Sequence, residues 1–149
     1  MYRKILVPVD LNEPGFADQA VEVAVWHARQ SKADIHLLTV LPGVHMAIVS
    51  NYFPKDAARQ MLQDAQLTLK TFAETHIPPE IARYQCVTEG KTWTTILEYA
   101  EKINADLLII PSHKRSGLDK VMLGSVAAKV VENAPLNVLV IKPQSHQDK

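Results

Sequence analysis

Two places in the sequence carry residue types that could do chemistry, and the second is a plausible phosphate site. The first is Asp10, which follows Pro8 and Val9 at the end of an apolar run. The second is the segment Pro111-Ser112-His113-Lys114-Arg115-Ser116-Gly117, continuing to Leu123-Gly124-Ser125-Val126, where glycine, hydroxyl and basic side chains lead into a helical pattern. Gly124 lets the backbone approach a ligand closely. Ser125 either caps the helix or turns its hydroxyl to a phosphate oxygen. The helix start adds N–H groups and partial positive charge, and Lys114, Arg115 and Lys120 add formal charge. Each residue also has a plainer reading. A carboxylate after a strand often caps a turn, a polar loop often just ends in a helix cap, and His113 reads as a solvated loop histidine. Val40, at the end of another apolar run, reads on its own as core.

The elements that would bring these two places together follow from hydrophobic periodicity. Ile5-Leu6-Val7-Pro8-Val9 is a buried strand, and its near-continuous apolar character fits a parallel sheet covered on both faces. The turn residues 10–15 lead to a helix with Ala17, Ala20, Val21, Ala24 and Ala28 at helical spacing. A second strand covers 35–41, and an irregular stretch covers 42–54. Ala58, Met61, Leu62, Ala65, Leu69, Phe72 and Ala73 share one face of a second helix, which Pro78 and Pro79 stop. A weaker strand at 82–88 precedes a third helix marked by Trp93, Ile96, Leu97, Ala100 and Ile103. Leu107-Leu108-Ile109-Ile110 is the most hydrophobic strand. A fourth helix carries Ala127, Val130, Val131 and Ala134, and Val138-Leu139-Val140-Ile141 is the fifth strand. Trp26 and Trp93 fall on helices and are expected to be partly buried.

Strands alternating with helical crossovers mean a parallel sheet with helices on both faces. In such sheets ligands bind outside the carboxyl ends of the strands, at the point where strand order reverses. If the two most hydrophobic strands, the first and fourth, are neighbours, the Asp10 loop and the Pro111–Gly124 loop face one crevice.

Composition narrows the function classes. Hydrophobic residues are 47% and charged residues 21% of 149, an ordinary balance for one globular domain. Sixteen basic and sixteen acidic side chains cancel, so no global charge draws the chain to nucleic acid or to an anionic membrane. No apolar stretch reaches bilayer-spanning length. The run after Met1-Tyr2-Arg3-Lys4 is too short for a signal-peptide core, so a cytoplasmic location is expected. Cys86 is the single cysteine and reads as an inert strand residue. The six histidines form no close metal-ligand pair, and Met46, Met61 and Met122 read as packing residues.

Taken together, Ile5-Leu6-Val7-Pro8-Val9-Asp10, Ala105-Asp106-Leu107-Leu108-Ile109-Ile110, Ser112-His113-Lys114-Arg115-Ser116-Gly117, Leu123-Gly124-Ser125-Val126-Ala127 and Ala134-Pro135 resemble the universal stress protein family over residues 1–142, leaving 143–149 as a polar tail. The resemblance implies an open five-stranded parallel sheet of order 3-2-1-4-5, Rossmann-like, of the adenine nucleotide alpha hydrolase-like type. It implies a homodimer through the last strand, with Val138, Leu139, Val140 and Ile141 at the interface, and an unidentified protein partner. It also implies ATP or a related adenine nucleotide, with Mg2+, at Pro8, Val9, Asp10, Val40, Pro111, Ser112, His113, Lys114, Gly124, Ser125 and Val126. Asp10 would lie near the ribose and adenine, the Val40 backbone would meet adenine, and Gly124 and Ser125 would meet phosphate.

The chain departs from the family's ATP-binding pattern of Gly, two residues, Gly, nine residues, Gly, then Ser or Thr. Aligned on Gly124-Ser125, the first two glycines fall on Pro111 and Lys114. Pro111 has no N–H to donate, and Lys114 places a side chain where bare backbone would wrap the phosphates. Three function classes follow: a nucleotide-binding stress regulator, a nucleotide-independent interaction protein of the same family, and an enzyme, at most a slow ATPase. No Ser-His-Asp order, paired carboxylates or His-x-Gly-His signature supports the third. A phosphoacceptor receiver domain is excluded because the third strand ends in Thr88-Glu89-Gly90, with no aspartate to phosphorylate.

Overall fold

A computed structural model of the chain describes residues 1–43, 55–112 and 123–143. Five strands form one parallel sheet: β1 (Lys4–Pro8), β2 (Asp34–Leu41), β3 (Arg83–Glu89), β4 (Leu107–Pro111) and β5 (Asn137–Ile141), in the order β3-β2-β1-β4-β5. The helices are α1 (Asp18–Ser31), α2 (Lys55–His76), α3 (Thr92–Lys102) and α4 (Ser125–Asn133). No helix among the described residues is long and apolar enough to cross a membrane.

The strand order follows from burial. Ile5, Leu6 and Val7 are fully buried, as are Leu108 and Ile109, so β1 and β4 need cover on both faces and take the interior of the sheet. They pair in parallel with Ile5 opposite Leu107 and Leu6 opposite Leu108. The Asp106 carboxylate sets this register by accepting the amides of Arg3 (2.9 Å) and Lys4 (3.2 Å), while its own amide donates to the Lys4 carbonyl (3.0 Å). β3 and β5 have mixed, partly exposed patterns and take the edges.

Alternation along each strand divides the core in two. On one face Ile5, Val7, Ile35, Leu37 and Ile109 meet Ala20, Val21 and Ala24 of α1 and Leu69 and Ala73 of α2. On the other, Leu6, Leu38 and Leu108 meet Ile96 and Ala100 of α3 and Ala127 and Val130 of α4. Each large side chain so buried stabilises by roughly 1.5–3 kcal/mol relative to exposure. α1 stops where Lys32 turns left-handed (φ 55°) and returns its amide to the Ala28 carbonyl.

Pro111 is the last residue of β4, paired with Ile141, rather than the first of the following loop. An interior strand tolerates this proline only at its end. The pairing of β4 with β1 stops at Leu108, so the missing N–H at residue 111 removes no bond to β1. Trp26 departs from expectation. It is 58% exposed, because α1 turns Ala20, Ala24 and Ala28 inward, and Trp26 edges against His27 on the outside.

Candidate functional site: a crevice between β1 and β4

A cavity of about 590 Å³ opens at the carboxyl ends of β1, β2 and β4. Because β2 and β4 flank β1 on opposite sides, this is where strand order reverses. Its floor is rigid. The Val9 amide donates to the Leu38 carbonyl (2.8 Å), and the buried Thr39 hydroxyl donates to the Val9 carbonyl (2.9 Å). Both bonds hold the chain just past β1 against β2 and present Asp10 at the rim.

Asp10 is exposed and lines the cavity. One carboxylate oxygen accepts the Asn12 amide at 2.9 Å, an Asx turn, and no other described group donates to it. The turn-capping role and an open carboxylate face therefore coexist. Val40 is partly exposed and contributes to the cavity as well as to the core beneath it.

The opposite wall is the start of α4. Gly124 occupies the N-cap with φ 81° and ψ 157°, a conformation that suits glycine, and no side chain caps the helix. Ser125 is thus the first helical residue and not the cap. Gly124, Ser125, Val126 and Ala127 all line the cavity, and no acidic residue occupies the first turn. The first amides of α4 carry the helix's partial positive charge toward the space that Asp10 faces.

Of the residues singled out in the sequence, the fold brings Pro8, Val9, Asp10, Val40, Pro111, Gly124, Ser125 and Val126 around this one cavity. Ser112 is elsewhere. It is buried, it does not line the cavity, and both its amide and its hydroxyl point to β5. The readings made for His113 and Lys114 lie outside the described residues.

Sequence reasoning missed a third wall. Met61, Asp64 and Thr68 of α2, with Thr92 and Ile96 of α3, complete the cavity. Asp64 is held in place, since its carboxylate accepts the Gln60 side-chain amide (2.8 Å) and its carbonyl accepts the Thr68 hydroxyl (2.8 Å). The spacing of Asp64 and Thr68, four residues apart beside the apolar Ala65, was the available signal. A smaller cavity of about 250 Å³ lies behind the Asp10 loop, between Asp18, Phe72 and His76. Among the described residues, no group of three or more His, Cys, Asp or Glu could hold a metal ion.

Comparison with known proteins gives a consistent picture. The model of the universal stress protein family matches residues 1–142. Universal stress protein G of Shigella flexneri is 34% identical over 146 residues, covering 95% of this chain and 100% of that protein. Among solved structures, the hypothetical protein MJ0577 superposes with a TM-score of 0.79 at 22% identity, over 97% of this chain and 99% of that one. Two further structures, each with a TM-score of 0.61, are a universal stress protein in complex with cAMP (22% identical; 96% of this chain, 98% of that chain) and one from Archaeoglobus fulgidus in complex with dAMP (20% identical; 95% and 98%). At these identities the structural likeness establishes the fold.

Proposed function

This chain belongs to the universal stress protein family, and from that membership we propose that it binds an adenine nucleotide, ATP or a relative of it, in the crevice between β1 and β4 and acts as a dimeric stress-response regulator in the cytoplasm. The observation that carries this reading is the meeting of Asp10 and the uncapped start of α4 across one cavity. Such a cavity pairs an acceptor for sugar hydroxyls with donors for a phosphate. Related proteins of the same fold form complexes with cAMP and dAMP, which supports the ligand class. In this reading Val40 and Leu41 flank the base, Asp10 accepts from the ribose, and Ser125 and Val126 donate to phosphate. Were a triphosphate to bring Mg2+, Asp10 is the carboxylate of the crevice that would help hold it, and the cation would offset phosphate charge. The crevice holds no assembled nucleophile and base among the described residues, so its role is binding, with slow ATP hydrolysis as the most it would support.

The dimer is proposed through the open edge of β5. The Ile141 carbonyl faces β4, so by strand alternation the amides of Val138 and Val140 face outward. An unpaired edge with partly exposed Val138, Leu139, Val140 and Ile141 suits pairing with a second copy. A protein partner of the dimer would read its ligand state.

A second reading, a nucleotide-independent interaction protein of the same family, is favoured by Pro111 and by the engagement of Ser112 with β5. Denaturing the purified protein and identifying any released nucleotide by chromatography and mass spectrometry separates the two. About one adenine nucleotide per chain supports the first reading. A chain that releases none, and that takes up neither AMP nor ATP with Mg2+ on titration, supports the second.

A further inference from the structure

Resting on the adenine-nucleotide reading, we infer that Asp64 of α2 reads the base: its carboxylate accepts a hydrogen bond from the exocyclic amine of adenine.

The topology puts Asp64 at the base end of the crevice. α2 packs against β2 and β3, whereas α4 packs against β5, on the other side of β1. Val40, Leu41 and Pro42, at the carboxyl end of β2, line the cavity together with Met61, Asp64 and Thr68 of α2. A base resting against Val40 and Leu41 therefore lies beside α2, and the edge it turns to that helix meets Asp64.

The helix holds this carboxylate in place. Met61, Asp64, Ala65 and Thr68 share one side of α2 at helical spacing. Ala65 and Leu69, one turn apart, are buried against the sheet and seat the helix, while Asp64 stays exposed at the cavity. The Gln60 side-chain amide donates to the Asp64 carboxylate (2.8 Å), and the Thr68 hydroxyl donates to the Asp64 carbonyl (2.8 Å). The acceptor is thus oriented before a ligand arrives, which lowers the cost of using it.

The chemistry matches. An ionised carboxylate only accepts, at about four lone-pair positions, and Gln60 takes one of them. What such a group recognises on a base is an N–H, and adenine carries two on its exocyclic nitrogen.

The test is calorimetric titration of the ligand-free, full-length protein with adenosine and with purine riboside, which has the same rings and sugar but lacks the amine. Adenosine is expected to bind about tenfold tighter or more, the effect of one hydrogen bond to a charged group. In Asp64→Ala adenosine should fall to the affinity of purine riboside, and purine riboside should be unchanged. A preference that survives in Asp64→Ala overturns the role of Asp64 and leaves the nucleotide reading standing. So does an equal loss for both ligands, which would make Asp64 a structural residue of the wall. Equal binding of the two by the native protein, or guanosine binding as tightly as adenosine, overturns the reading of the amine. No binding of adenosine, AMP or ATP with Mg2+ overturns the nucleotide reading itself, and this inference with it.

Discussion

Ser112 gives both of its donors to one acceptor: its amide (2.9 Å) and its hydroxyl (3.1 Å) meet the carbonyl oxygen of Ile141. The first residue after β4 is thereby tied to the last residue of β5, and the loop that follows β4 starts from a fixed point at the edge strand. Ser112→Ala removes a hydrogen bond from a residue only 3% exposed. It should cost about 1 kcal/mol in urea denaturation and leave AMP affinity unchanged. A loss of affinity with unchanged stability would place the hydroxyl at the ligand instead.

Asp10→Ala should weaken adenosine and AMP alike, by about tenfold or more, because it removes a charged acceptor from the ribose end. The residue is exposed and makes one local turn bond, so the variant should stay folded. Titration of the variant with both ligands checks this. An effect on AMP alone would move Asp10 away from the sugar.

The alternation of β5 separates two kinds of edge mutation. Val140→Pro removes an outward N–H and should yield a folded monomer, since proline is tolerated where a strand faces open space. Leu139→Pro removes an N–H that faces β4 and should cost stability in addition to the dimer. Light scattering with circular dichroism distinguishes them. A native protein that is already a monomer would rule out the pairing.

His36 gives the fold an acid-sensitive point. Neither ring nitrogen has a hydrogen-bond partner among the described residues, and the ring stacks on Tyr84 at 4.8 Å. Burial holds its pKa below the ordinary 6.5; Asp34 opposes this and Lys4 adds to it. The unfolded chain takes up this proton near 6.5 while the folded chain resists until lower pH. The unfolded state thus binds more protons in that window, and stability is lost as pH falls from about 6.5 through the native value. A single proton limits the slope to about 1.4 kcal/mol per pH unit. His36→Phe keeps the stacked ring and should flatten that part of the stability–pH curve, as followed by urea midpoints. An unchanged curve would assign the acid sensitivity to other groups.

Much of this organisation was legible in the residues. Continuous apolar runs at Ile5–Val7 and Leu107–Ile110 mark interior strands because both their faces must be covered. The pairing of these strands then puts Asp10 and Gly124-Ser125 at one crevice. What stayed hidden depended on packing between distant segments. Ser112 reads as a loop hydroxyl until the register of β5 brings Ile141 beside it. Asp64 and Thr68 read as the solvated flank of an amphipathic helix until α2 is placed over the carboxyl end of β2. Ser125 reads as a cap until Gly124, at φ 81°, takes that position. Trp26 reads as partly buried because tryptophan usually is, yet α1 fills its inner face with alanine and valine.

Amide mapping tests ligand binding between β1 and β4 most directly. Isotope-labelled protein would be titrated with AMP while backbone amide resonances are followed by NMR. Binding in the crevice predicts saturable shifts at residues 9–12, 40–41 and 125–127, with the outer edge of β3 unmoved. Saturating AMP that leaves these amides in place, or that shifts only amides elsewhere on the sheet, would contradict it.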